Sequence, residues 1–281
     1  MNHIKLKGPL VSTRWLADHL GAENLVVLDA SLPKAGMGED SLTDKVIQGA
    51  RFMDLKNKWA EKGARFPNTM LGATDFQQAA RDLGLSNSSA IVVYDQHGIY
   101  SSARAWYMFR SMGHSNVAVL DGGLPAWDRE GLPMETKKDY TGAKGDFSSA
   151  PKTKHFVSVR EVQDQLEDDT KLLLDARAED RFYGRVEEPR AGLRSGHIPN
   201  SISLPFGFLQ RDGHMKDEAS LKAIFENRAP GPESLICSCG SGITACVLAL
   251  GAEIIGRKQV YVYDGSWSEW GSLPELPIEK D

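Results

Sequence analysis

"SLICSCGSGITACVLAL" (residues 234–250) reads as an apolar run of strand length, a glycine-punctuated loop, and a second apolar run with helical periodicity. A strand feeding directly into a helix through a tight loop is the repeating piece of a parallel α/β sheet. The same piece occurs once before, in "AIVVYDQHGIYSSARAWYMF" (90–109). Further pairs flank these two in the same order. "STRWLADHL" (12–20) matches "SVREVQDQL" (158–166), each an amphipathic helix opened by a serine that can cap it. "LVVLDAS" (25–31) matches "KLLLDAR" (171–177), and "VIQGARFMDL" (46–55) matches "HIPNSISLPF" (197–206). Last, "VAVLDGGLPAWDREGLP" (117–133) answers "VYVYDGSWSEWGSLPELP" (260–277). Matches kept in order along both halves mean a duplicated unit. The expected class is therefore α/β, with two tandem domains, each a parallel sheet flanked by helices. The polar, Lys-rich run between the halves buries too little to form an element. We place domains at 1–140 and 157–281, with a linker at 141–156.

Composition bounds the function. The 281 residues are 41% hydrophobic and carry a net charge of -5. That balance lacks the concentrated basic surface a phosphate backbone demands, so nucleic acid is not an expected partner. No apolar run approaches the roughly 18 residues of a membrane span, nor does the N-terminus carry a secretory signal pattern. The expectation is a cytoplasmic chain with neither membrane nor nucleic acid as partner. Three cysteines, an odd and small count, fit a reducing compartment rather than a disulfide framework.

All three cysteines lie in the opening stretch, at Cys237, Cys239 and Cys246. Zinc wants about four ligands, and Cys-x-Cys without a second Cys or His pair does not supply them, so no metal is expected. A disulfide between Cys237 and Cys239 has poor geometry on a strand. Cys237 on the strand and Cys246 on the helix read as small core hydrophobes. Cys239 is different, because it opens the loop Gly240, Ser241, Gly242, Ile243, Thr244. Glycines at 240 and 242 permit backbone conformations closed to other residues, so successive amides converge on one atom. Amides and a helix N-terminus around a thiol favour its thiolate and make it a nucleophile. A phosphatase loop of this shape carries an arginine six residues after the cysteine, and position 245 is Ala.

These residues resemble the two-domain rhodanese superfamily, and within it the 3-mercaptopyruvate sulfurtransferase branch. "VYDGSWSEW" (262–270) resembles the C-terminal signature, "GHIPN" (196–200) the Gly-His-Ile-Pro signature, and "CGSGIT" (239–244) the active loop of that branch. The resemblance implies that domain 1–140 is a catalytically degenerate copy and that 157–281 carries the active cysteine. It implies that Cys239 attacks the sulfur of 3-mercaptopyruvate, that pyruvate leaves, and that a persulfide passes to a thiol such as thioredoxin or glutathione, or to cyanide; no cofactor is implied. Thiosulfate-using relatives typically carry Cys-Arg-Lys-Gly where this chain has Gly240 and Ser241. Rival readings are a thiosulfate:cyanide sulfurtransferase and a low-turnover persulfide carrier or redox sensor. The family pattern of two arginines nine apart falls on Arg181 and Arg190 as substrate-binding residues, with ion pairing to Glu187 or Glu188 as the alternative role. Arg177, Arg185 and Arg194 read as solvated or structural. Ser241 is the second catalytic candidate, and the Thr244 hydroxyl is a possible donor beside it. The branch pairs such a serine with a His and an Asp, and the matching positions here are Thr69 and Lys56. Asp175, His197, Trp267 and Trp270 read as architectural. In the first half, Gln96 stands in the place of Cys239, and Val46 and Gln48 in the places of His197 and Pro199.

Overall fold

The structure is a computed structural model that describes residues 3–151, 155–168, 170–232 and 234–280. It divides the chain into two compact units. One comprises Met1–Lys62, Met70–Thr153 and Asp212–Met215, the other Gly63–Thr69, Lys154–Arg211 and Lys216–Asp281. Two short segments thus belong to the unit that the chain order alone would not assign them to.

In the first unit a five-stranded sheet runs in the order Leu10–Val11, Val117–Leu120, Ala90–Tyr94, Leu25–Asp29, Arg51–Phe52, all parallel. In the second, Phe156–Val157, Val260–Tyr263, Ser234–Ser238, Lys171–Asp175 and Ser201–Ser203 repeat that order, again all parallel. The duplicated parallel α/β architecture expected from the paired motifs is present. The central strands Ala90–Tyr94 and Ser234–Ser238 are buried at every position, as strands covered on both faces require. The helices that follow them, Ser102–Ser111 and Ala245–Ile254, are also buried along most of their length.

Helix entry follows the capping residues. Ser12 accepts a hydrogen bond from the Trp15 amide at 3.1 Å and opens Thr13–His19. Ser158 opens Val159–Gln165, its amide donating to Glu161 Oε2 at 3.0 Å as in a capping box. The stretch expected as a linker behaves differently. Residues 142–151 hold no helix or strand, yet Phe147 is 0% exposed. Its ring lies against Phe76 and Phe109, and its carbonyl accepts from Arg81 Nε at 2.8 Å. The buried ring, with backbone bonds from Phe147 N to Leu85 O (3.0 Å) and Ala150 N to Met112 O (2.9 Å), ties this polar segment to the first unit. Lys152, Thr153 and Lys154 lie outside the described residues.

The register corrects one sequence equivalence. Tyr94 pairs with Asp29 as Ser238 pairs with Asp175, so the residue after each central strand is Asp95 in one unit and Cys239 in the other. The backbone agrees: Leu124 N donates to Asp95 O at 3.0 Å, and Trp267 N donates to Cys239 O at 2.9 Å. Asp95, rather than Gln96, therefore occupies the cysteine position. The sequence slips by one residue because the first loop reaches its helix one residue later.

Candidate active site

Asp95 shows what this loop is built to hold. Its buried carboxylate accepts the amides of His97 (2.8 Å), Tyr100 (2.7 Å) and Ser102 (2.9 Å), and the Ser102 hydroxyl at 2.6 Å. The loop after the central strand is thus an anion cradle, filled in the first unit by its own side chain. Asp95→Ala strands those donors. We expect a loss of about 3–5 kcal/mol in unfolding free energy, read by denaturant titration, with the second unit's chemistry retained.

In the second unit a sulfur takes the carboxylate's place. Cys239 is 1% exposed and a free thiol, as are Cys237 and Cys246. The backbone around it is fixed by the short helix Ser266–Trp270. The first amides of that helix have no partner within it. Trp267 N takes Cys239 O at 2.9 Å, and Ser268 takes Gly240 O through both its amide (2.9 Å) and its hydroxyl (2.6 Å). In a trans peptide the carbonyl and the next N–H point opposite ways. Pinning the carbonyls of 239 and 240 to this helix therefore turns the amides of Gly240 and Ser241 away from it. Ser266 completes the clamp: its hydroxyl accepts the Cys239 amide at 3.1 Å, donates to Tyr263 O at 2.8 Å, and lies 4.0 Å from Cys239 Sγ. It does so at φ 50°, a left-handed conformation that the first unit gives to Gly123 at φ 55°. Sequence reading passed over Ser266, although a serine where the repeat has glycine was a visible signal.

The loop's glycines have separate reasons. Gly242 sits at φ 75° and turns the backbone into the helix Ala245–Ile254, whose N-terminus adds its dipole to the site. Gly240 is not in that conformation; it lies against two guanidinium groups. A Cβ there would stand 3.0 Å from Arg181 Nη2, with Arg190 Nη1 at 3.8 Å. Both expected arginines therefore lie over the loop beside Cys239. Ile243 is buried, and Thr244 occupies the helix N-cap position without a capping bond from its side chain.

Their charges differ in availability. Arg181 is gripped by Glu188, Nη2 to Oε2 at 2.6 Å and Nε to Oε1 at 3.2 Å, so the alternative of pairing with Glu188 describes it. Glu187 is exposed. The Glu188 side chain is 1% exposed and is shared with Arg177 at 2.9 Å. Arg177 in turn holds Asp175 at 2.6 Å and stacks 4.3 Å over Trp267. Burial works against the Arg177 charge, and Asp175 and Glu188 more than offset it, holding the guanidinium above its usual range. Arg190 donates to Ser241 Oγ at 3.2 Å and has no carboxylate partner among the described residues. Beside the loop, its charge is thus not offset by a carboxylate among the described residues.

Arg194 spends its guanidinium on the carbonyls of Trp270, Gly271, Leu273 and Leu276, and Arg185 is exposed. His197 stacks on Phe182 at 3.9 Å and bonds its carbonyl through Nδ1. Trp267 and Trp270 are fully buried. Burial pushes the Cys237 thiol far up, with Cys246 and Cys239 adding to it. Lys56 pairs with Glu39 on the surface of the first unit. Thr69, matched to the branch's histidine, gives its hydroxyl to Phe66 O at 2.9 Å. The residue that reaches Ser241 is its neighbour Asn68, which sequence reading missed. Its amide donates to Ser241 O at 3.1 Å and to Ser241 Oγ at 3.0 Å. Among the described residues no cluster of His, Cys, Asp and Glu could hold a metal ion, and no helix is long and apolar enough to cross a membrane.

A duplicated parallel unit with a buried cysteine in a glycine-containing strand-to-helix loop defines a class, and known proteins share it. The Rhodanese-like domain family matches residues 12–130 and 158–273, and the chain belongs to that family. It is 36% identical over 272 residues to human 3-mercaptopyruvate sulfurtransferase, covering 93% of this chain and 91% of the relative. It is also 36% identical over 281 residues to bovine thiosulfate sulfurtransferase, covering 96% and 94%. Among solved structures it is similar to SseA from Escherichia coli, described for the rhodanese fold and catalytic mechanism of 3-mercaptopyruvate sulfotransferases. That match has a TM-score of 0.82 and 31% identity, and covers 93% of this chain and 99% of that one.

Proposed function

We propose that this chain is a 3-mercaptopyruvate sulfurtransferase in which Cys239 carries the sulfur. The observation that carries the reading is Arg190, an unneutralised guanidinium bonded to Ser241 two residues from Cys239. A 2-keto acid offers it a carboxylate to bind in a bidentate pair. Cys239 thiolate attacks the substrate sulfur, the sulfur–carbon bond breaks, and the electron pair leaves on the enolate of pyruvate. Protonation at carbon gives pyruvate, and the enzyme keeps a Cys239 persulfide. Amides of the loop stabilise the thiolate and the persulfide anion, as those of the first unit stabilise the Asp95 carboxylate. Ser241 donates to the keto oxygen as negative charge develops there. An acceptor thiolate, from thioredoxin or glutathione, or cyanide, then takes the outer sulfur and restores the Cys239 thiolate. We place this chemistry in the second domain, 157–281, and in the cytoplasm, where thiols stay reduced.

The donor preference rests on loop positions 240 and 241. They are Gly and Ser beside the Arg181 guanidinium, and so lack the Arg-Lys pair that suits a thiosulfate dianion. Paired assays test it. With equal cyanide, kcat/KM is expected to be at least about ten-fold higher with 3-mercaptopyruvate than with thiosulfate. Faster turnover with thiosulfate overturns the assignment. A carrier without turnover gains one sulfur by mass spectrometry but does not release pyruvate repeatedly.

A further inference from the structure

We infer that Asn68 is a positioning residue that fixes the Ser241 hydroxyl as a one-way hydrogen-bond donor into the site; the inference rests on the role given to Ser241 above. The Asn68 amide nitrogen donates to two atoms of Ser241, the carbonyl at 3.1 Å and the hydroxyl oxygen at 3.0 Å. A carbonyl only accepts, so the amide orientation follows from the first bond. Bridging backbone and side chain of one residue locks the Ser241 rotamer. Arg190 Nη2 is the second donor to the same oxygen, at 3.2 Å.

A hydroxyl oxygen has two lone pairs and one proton. Asn68 and Arg190 occupy both lone pairs, and among the described residues nothing accepts the proton. The proton is left for a bound ligand, and Ser241 is only 6% exposed, so water competes poorly. Neither partner is a base, because an amide and a guanidinium do not take a proton near neutral pH. Ser241 is therefore held as a donor to an oxyanion and not as a hydroxyl awaiting deprotonation. A histidine in this place would tie the same function to its own titration. The backbone at Asn68 supports a dedicated role: φ is 62°, a left-handed conformation that asparagine tolerates better than most residues.

The test uses Asn68→Gly, which suits the positive φ, in two backgrounds. In the otherwise unchanged enzyme it is expected to lower kcat for pyruvate release about ten-fold with little change in KM, the effect of one hydrogen bond lost in the transition state. In a Ser241→Ala background the same change is expected to cost less than about two-fold, because the oxygen it acts through is gone. Equal losses in both backgrounds mean that Asn68 only props the loop carbonyl, and no loss in either means it does nothing; both overturn the inference. Asn68→Asp, nearly isosteric, replaces the donor by an acceptor that draws the Ser241 proton away from substrate. Its kcat should fall below that of Asn68→Gly, whereas a space-filling role predicts wild-type turnover. Failure of the functional reading is separate: it shows as an unmodified enzyme that neither releases pyruvate nor gains sulfur on Cys239.

Discussion

Cys239→Ser eliminates pyruvate release, with kcat/KM expected to fall by at least about 10³. The oxygen replacing sulfur is a far weaker nucleophile at neutral pH and cannot carry sulfur as a persulfide. The fold is expected to persist, because the bonds that shape this turn run through the backbone of residue 239. Its amide goes to Ser266 Oγ and its carbonyl to Trp267 N, and neither needs the sulfur. Intact protein exposed to 3-mercaptopyruvate should gain one sulfur in the unmodified enzyme and none in the variant. Retained pyruvate release by the serine variant would place the nucleophile elsewhere. Cys237 does not substitute, since burial within the central strand pushes its thiol up and opposes its thiolate.

Arg190→Gln is expected to raise KM for 3-mercaptopyruvate by about 10–100-fold, the value of a charge-assisted pair with a carboxylate. Arg181→Gln should raise it by less than about five-fold, because Glu188 already neutralises that guanidinium at 2.6 Å. The two variants remove the same formal charge, so the comparison isolates which charge is available. Steady-state kinetics on both, with melting temperatures recorded alongside, decide it. Equal effects would mean that Glu188 releases Arg181 when substrate arrives. A larger effect at Arg181 would reverse the assignment. Glu188 anchors the comparison, as its carboxylate bridges Arg177 and Arg181 with a side chain only 1% exposed.

Much of this is legible in the sequence. Repeated apolar runs ending in Asp-Ala gave the paired strands Leu25–Asp29 and Lys171–Asp175, and serines 12 and 158 marked their helices. Cys239 stood out because glycines follow it and a helical run follows them. These are local signals, written in spacing and side-chain type over a dozen residues. The slip came where a loop changed length by one residue: Asp95 and not Gln96 matches Cys239, as the strand register fixes. The bond from Asn68, in a left-handed turn, to Ser241 had no signal in spacing.

By itself, then, the sequence determined a duplicated parallel α/β chain with a cysteine opening one glycine-containing strand-to-helix loop, because hydrophobic period and turn chemistry act between near neighbours. Only the tertiary structure decided which arginine a carboxylate holds, what stands beside Gly240, and what bonds Ser241. Glu188 pairs with Arg181, while Arg190 has no carboxylate partner among the described residues; the Arg181 guanidinium lies against Gly240; Asn68 bonds a residue 173 positions along the chain. Each is a contact between atoms brought together by packing, and spacing along a chain does not encode which of several equal charges or neighbouring polar residues will meet.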